Sequence, residues 1–391
     1  MIKKPVYLYC VAAWIICSTC VRSTGTGFVI FNSGFLLSAF SSDEGKADEP
    51  IHSTTYLRAD SFMRHVLAPS GFNGGMLVSE KGRIVYESYC GKERTDRPDP
   101  MDSSSALHLA SISKTFTGMA VLKLWEEGGI DLDRPVSEIL EGFDFPGVTV
   151  KTLLNHRSGL PNYVHFLEQL GWDRKRTITN AELLRFMATH RKSIGVLKPD
   201  TRFNYSNTNY ALLALVIERV SGMSYGQFLK ERFFRPLGMN DSYVFGMEKA
   251  DYAIPSYDAG YRLEPYTFLD AVYGDKNVYS TPRDLFKWDR ALSDGSMFKA
   301  STLEMAYRGY SHEQRGNRNY GLGWRMFEPP GGGKIIYHNG WWHGNNTVFC
   351  RLIDDSATVI VLGNRYNERI YKARSVLSHL PGYRFLQSGG E

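Results

Sequence analysis

Strand-like runs stand near both ends of this chain, and the stretch between them is mostly helical. Met76-Leu-Val78 and Ile84-Val-Tyr86 flank Glu80-Lys-Gly82, which predicts a hairpin. Far along the chain, Ile335-Ile-Tyr337, Thr347 to Ile353 and Thr358 to Leu362 read as three more strands, the last two joined by a turn at Asp354-Asp-Ser356. Arg58 to Leu67 has helical spacing, and Glu368 to Leu377 reads as a closing helix. Between these ends, Ile112 to Gly128 is apolar on nearly all sides and stops at Gly128-Gly129, the pattern of a buried central helix. Asn209 to Val220 is a second strong helix, closed by Ser221-Gly222. The economical arrangement is an α+β fold: one antiparallel sheet built from both ends of the chain, with a helical region inserted.

At 391 residues, 43% hydrophobic and 22% charged, the chain suits one large globular domain or two intimate ones. The net charge of +5 is small and no block of like charge occurs, which speaks against a nucleic-acid partner. The densest basic spot, Asp173-Arg-Lys-Arg176, reads as a solvated loop. The N-terminus is different. Lys3 and Lys4 precede the apolar run Val6 to Cys17, which is short for a membrane span and has the shape of a secretory signal. A second apolar stretch, Phe28 to Phe40, leads into the acidic and polar Ser41 to Pro50.

The expected organisation is a signal peptide or anchor over 1–40, a linker over 41–55 and a folded domain over 56–391. Its sheet would come from 56–105 and 280–391, and its helical subdomain from 106–279. Export to the periplasm or cell envelope follows, with membrane contact only through an uncleaved leader. Three of the five cysteines lie in that leader, leaving Cys90 and Cys350. There is no paired Cys-x-x-Cys and no His-Glu-x-x-His, and His338 and His343 lack a third ligand nearby, so a zinc hydrolase is disfavoured.

Three short motifs carry the chemistry: Ser111-Ile-Ser-Lys114, Tyr205-Ser-Asn207 and His338-Asn-Gly340. In this order they describe a serine hydrolase that uses lysine to help activate its serine. Ser111 opens the buried helix, and Lys114 lies one helical turn on, so hydroxyl and amine share a face. A serine hydroxyl is a poor nucleophile until its proton is taken, and a lysine takes it only when burial and nearby charge disfavour its ammonium. The same Ser-x-x-Lys spacing recurs at Ser296 and Lys299, but after Asp294-Gly295 and with no buried helix behind it. Tyr205 precedes the second helix and can carry a proton as phenol or phenolate. Asn207 offers an amide to the lysine or to a substrate carbonyl. His338 is expected to end its strand, with Gly340 giving a substrate backbone close approach. The N–H of Trp341 would join that of Ser111 as an oxyanion hole.

Several stretches extend these motifs: Leu107-His-Leu-Ala-Ser111-Ile-Ser-Lys114-Thr-Phe116, Leu153-Leu-Asn-His156-Arg-Ser-Gly-Leu-Pro161 and Phe203-Asn-Tyr205-Ser-Asn207-Thr-Asn-Tyr210. Pro236-Leu-Gly-Met239, Tyr279-Ser-Thr-Pro-Arg-Asp284, Tyr320-Gly-Leu-Gly-Trp324 and His338-Asn-Gly340-Trp-Trp follow in order. Over roughly Tyr56 to Leu380 the chain resembles the serine β-lactamase and penicillin-binding-protein superfamily, in its class C-like branch of β-lactamases, esterases and D-amino-acid peptidases.

The resemblance implies a five-stranded antiparallel sheet flanked by helices, with the site between sheet and helical subdomain. It implies Ser111 as acylated nucleophile and Lys114 with Tyr205 as base system. Asn207, His338, Gly340 and Trp341 would bind a small-molecule or peptide acyl substrate, with no cofactor or metal. It leaves open an esterase or D-amino-acid peptidase, a β-lactamase or D-Ala-D-Ala carboxypeptidase, and a non-catalytic binding or sensing protein that keeps the fold. Intact motifs favour catalysis. Penicillin-destroying relatives usually carry lysine where this chain has His338. A neutral imidazole there predicts preference for uncharged acyl groups, slow reaction with penicillins, and a gain for carboxylate-bearing substrates in His338→Lys.

Overall fold

The computed structural model describes residues 53–311, 313 and 316–388. These belong to the second of two units, Met1–Pro50 and Ile51–Glu391, so the expected leader and most of the linker lie outside the described residues.

Among the described residues ten strands occur in chain order: β1 Gly74–Glu80, β2 Arg83–Cys90, β3 Leu107–His108, β4 Tyr243–Val244, β5 Val278–Ser280, β6 Arg318–Tyr320, β7 Arg325–Phe327, β8 Ile335–Trp342, β9 Asn345–Leu352 and β10 Ala357–Gly363. Seven form one antiparallel sheet in the order β2-β1-β10-β9-β8-β7-β6. The first hairpin thus sits against the last strand, Gly74 opposite Gly363, and the sheet joins both ends of the chain. A small sheet, β3-β5-β4, stands apart from it.

The expected five strands become seven because β6 and β7 add a short hairpin beyond β8. Each is three residues long, too short to display an alternating pattern, and their turn contains Gly321-Leu-Gly323.

Successive residues of a strand point to opposite faces. Leu77, Ile336, Phe349, Ile360 and Leu362 join the core shared with the inserted helices. Met76, Val78, Val348, Cys350, Val359 and Val361 pack instead with Phe62, Ile370, Val376 and Leu377 from the two terminal helical segments. Both faces are covered, so β9 and β10 are buried along their whole length. Of the inserted helices, Ser113–Glu126 is the most enclosed, as expected for a segment apolar all round. Asn207–Ser221 packs beside it and ends on Gly222, whose φ of 72° provides the left-handed stop. Among the described residues no helix is long and apolar enough to cross a membrane.

Candidate active site

Ser111 lies in a tight 3-10 turn, Ala110–Ile112, that runs straight into the helix Ser113–Glu126. The turn is held from several sides. Ala110 adopts a φ of 49°, uncommon for a residue with a side chain, and its N–H donates to His108 Nδ1 at 3.1 Å. Thr347 Oγ1 on β9 donates to Leu109 O at 2.8 Å. Gly340 on β8 presses against the same turn. A Cβ at that position would stand 2.5 Å from Leu109 O and 2.9 Å from Ala110 Cβ. The glycine therefore serves contact between strand and serine turn, where the sequence suggested room for a substrate backbone.

Lys114 is fully buried, and its Nζ donates to Ser111 Oγ at 3.1 Å and to the Asp275 carbonyl at 2.7 Å. Tyr205 Oη lies 3.1 Å from the same Ser111 Oγ, and Lys114 Nζ stands 5.1 Å from the Tyr205 ring centre. Burial raises the Tyr205 phenol pKa, but the charges of Lys114 and Arg325 outweigh it and hold the pKa below the ordinary value. Tyr205 is placed by the loop ahead of helix Asn207–Ser221. There the buried His156 accepts the Ser206 N–H at Nδ1, 3.2 Å, and packs its ring 4.4 Å from that of Tyr205. Burial and the charges of Lys114 and Arg325 push the His156 pKa well down, so its imidazole is neutral.

A cleft of about 570 Å³ opens over Ser111. Tyr205, Asn207, Asn339, Gly340, Trp341 and Trp342 line it. Asn207 Oδ1 is buried there without a hydrogen-bond partner among the described residues. Trp341 is 60% exposed and forms rim. A larger groove, about 1130 Å³ around Tyr225 and Phe245, includes none of Ser111, Lys114 and Tyr205. Ser296 and Lys299 lie on an exposed loop.

His338 departs from its expected place. It does not end a strand, because β8 continues to Trp342. Strand parity then turns its side chain away from the face shared by Tyr337, Asn339 and Trp341. It is fully buried, with Nε2 3.4 Å from Tyr320 Oη, and is absent from the cleft lining. Burial, reinforced by Arg325 and Lys114, pushes its pKa well below the usual imidazole value.

The fixed cation sought at position 338 stands on β7 instead. The Arg325 guanidinium lies 4.9 Å from the Tyr205 ring centre and lines the cleft with Arg318 and Arg374. Among the described residues no Asp or Glu lines that cleft, and Arg325 has no carboxylate partner. Arg325 directly follows the Tyr320–Trp324 motif, yet a lone arginine on a three-residue strand carries no pattern that would have singled it out.

The Beta-lactamase family model matches residues 59–380. Penicillin-binding protein 4* of Bacillus subtilis (strain 168) is 33% identical over 317 residues, covering 77% of this chain and 70% of that protein. Among solved structures, the octameric penicillin-binding protein homologue from Pyrococcus abyssi aligns with a TM-score of 0.72 at 28% identity, over 82% of this chain and 76% of that one. A D-stereospecific amidohydrolase from Streptomyces sp. aligns with a TM-score of 0.65 at 25% identity, over 83% and 98%. The chain belongs to the Beta-lactamase family, in keeping with its class C-like branch. It is a β-lactamase-fold serine hydrolase related to penicillin-binding proteins.

Proposed function

We propose that this chain is an acyl hydrolase that forms an acyl-enzyme at Ser111 and cleaves esters or amides. One observation carries the reading: a single hydroxyl, Ser111 Oγ, lies 3.1 Å from both Lys114 Nζ and Tyr205 Oη. In the proposed sequence Ser111 Oγ attacks the acyl carbonyl as its proton passes to the Lys114/Tyr205 pair. The N–H groups of Ser111 and Trp341 would hold the developing oxyanion. Support comes from the close contact of Gly340 with the serine turn and from the end of β7 pairing at Tyr337. The leaving alcohol or amine then takes the proton. Water then attacks the ester on Ser111 as one of its protons passes to the pair, and the intermediate collapses to release the acid while the pair returns that proton to Ser111 Oγ. The orphaned Asn207 Oδ1 would accept a substrate N–H.

A second reading concerns substrate charge. Arg325, in a cleft with no acidic lining among the described residues, favours acyl compounds that carry a carboxylate, such as D-peptides with a free C-terminus, over the uncharged ones that His338 suggested. A relative named for binding penicillin, itself a carboxylate, is in keeping with such substrates. Export, expected from the leader, belongs to the same proposal.

Fluorophosphonate labelling with mass spectrometry tests catalysis against the binding-protein alternative. Adduct on Ser111 is the expected result, and an unlabelled, folded protein would refute it. Turnover of a panel of neutral esters and D-peptides then ranks the substrate classes.

A further inference from the structure

Beneath the cleft, the loop Gly274 to Asn277 carries two buried charges that the steps above leave unused. Gly274 has a φ of 94° and sits where a Cβ would come 2.4 Å from Tyr210 O. At the other end Asn277 Nδ2 donates to Asp270 O at 2.6 Å and to Val272 O at 3.0 Å. Between these anchors Asp275 and Lys276 are only 1% and 2% exposed.

Asp275 faces two ways. Its backbone carbonyl accepts from Lys114 Nζ at 2.7 Å. Its side-chain Oδ2 accepts from Tyr163 Oη at 2.9 Å, and Oδ1 lies 3.6 Å from Lys276 Nζ. Lys276 Nζ also donates to Tyr163 Oη at 2.6 Å and to Val272 O at 3.0 Å, and stands 4.8 Å from the Trp342 ring centre. Two lysine amines thus anchor on one residue, Lys114 at its carbonyl and Lys276 at its carboxylate.

The groups facing Lys114 come from five directions. Tyr205 and Tyr210 present their rings, His156 and His338 are neutral, Arg325 is cationic, and the Asp275–Lys276 pair completes the surround. Asp275 is the only carboxylate among them. A buried carboxylate without a counter-ion would hold a neighbouring ammonium in its charged form, and a charged Lys114 accepts no proton from Ser111.

We infer that Lys276 is a positioning residue for Lys114: it cancels the Asp275 charge and fixes the carbonyl that aims the Lys114 amine at Ser111. The inference rests on Ser111 being the nucleophile. Burial holds the Lys276 pKa below the usual lysine value; Asp275 and Asp270 oppose this and Lys114 adds to it, so the two amines sense each other.

The test is the pH dependence of the fluorophosphonate labelling rate at Ser111 in the full chain. Lys276→Met leaves the Asp275 carboxylate uncompensated, and the acidic limb should move to higher pH by about one unit or more. Asp275→Asn leaves the Lys276 charge uncompensated, and the limb should move to lower pH. The double variant should fall back close to the native limb. Opposite shifts that cancel are a signature that loss of packing does not produce. Limbs that stay in place, or move the same way in both single variants, would overturn the inference while native labelling still upheld Ser111. If circular dichroism shows Lys276→Met unfolded, Asp275→Asn and the double variant decide by the same criterion. A native protein with no label at Ser111 would overturn both readings together.

Discussion

Ser111, Lys114 and Tyr205 converge on one oxygen, and in the proposed reaction each would contribute something the others lack: the nucleophile, a buried amine and an acidified phenol. Ser111→Ala should therefore abolish covalent labelling with little change in thermal stability, while Ser296→Ala, on an exposed loop, should label like the native chain. Lys114→Ala should slow acylation by on the order of 10² to 10⁴. Arg325→Gln tests substrate charge. A charge-assisted hydrogen bond contributes about 1.5–3 kcal/mol, so kcat/KM for nitrocefin should fall about 10- to 100-fold relative to p-nitrophenyl acetate. The ratio is the readout because losing Arg325 also raises the Tyr205 pKa and slows both substrates. His338→Lys should now destabilise the fold, since it buries a further cation close to Arg325 and Lys114.

The serine, lysine and tyrosine were legible in the sequence because Ser-x-x-Lys is one helical turn and Tyr-x-Asn is one helix entrance. Their neighbours within the motif are also their neighbours in space. Arg325 and Lys276 were not legible, because each reaches the site from an element that local pattern does not relate to Ser111.

At the scale of elements, β8 is where expectation and structure diverge most. The sequence suggested a strand that His338 ends, and the structure continues it through Trp342. The continuation was hidden because Asn339 and Gly340 are poor strand formers, whereas pairing with β9 holds the segment extended from Ile335 to Trp342. Gly340→Ala should therefore act on structure as well as on turnover. A Cβ driven into Leu109 O should cost about 1–3 kcal/mol and displace the serine turn, lowering both the melting temperature and the labelling rate. The hairpin β1–β2 and the strands β9 and β10 were readable from apolar runs around turn residues. Their order also fixes the cysteines. Cys90 on β2 and Cys350 on β9 are separated by β1 and β10, and both are free thiols. Burial pushes the Cys350 pKa up to about 12. Native-state titration with a thiol reagent should thus modify Cys90 well before Cys350, and the two should equalise on unfolding.

For the whole molecule, polar links between loops and sheet set the response to acid. Asp270 accepts from Trp342 Nε1 at 2.6 Å and lies 3.0 Å from His343 Nε2. Burial raises its pKa, but His343 and Lys276 outweigh that and lower it to about 2 from 3.8. A carboxyl with a depressed folded-state pKa stabilises the fold above its unfolded value, and that contribution fades as pH falls toward the folded value. The pair should therefore contribute about 2 kcal/mol at neutral pH, lost between roughly pH 4 and 2. In urea titrations Asp270→Asn should lower the unfolding midpoint at pH 7, and its deficit should shrink as the pH approaches 2.

The pairing of β1 with β10 also has a consequence for how the protein is made. A ribosome delivers Ser111, Lys114 and Tyr205 early, yet the strand that presses on the serine turn begins only at Ile335. Chains emerge N-terminus first, and contacts so distant in sequence close late. A nascent chain that has passed Tyr205 but not reached β8 therefore carries all three side chains of the proposed reaction without the strand that packs on the serine turn, and the proposed activity would arrive only with the last strands.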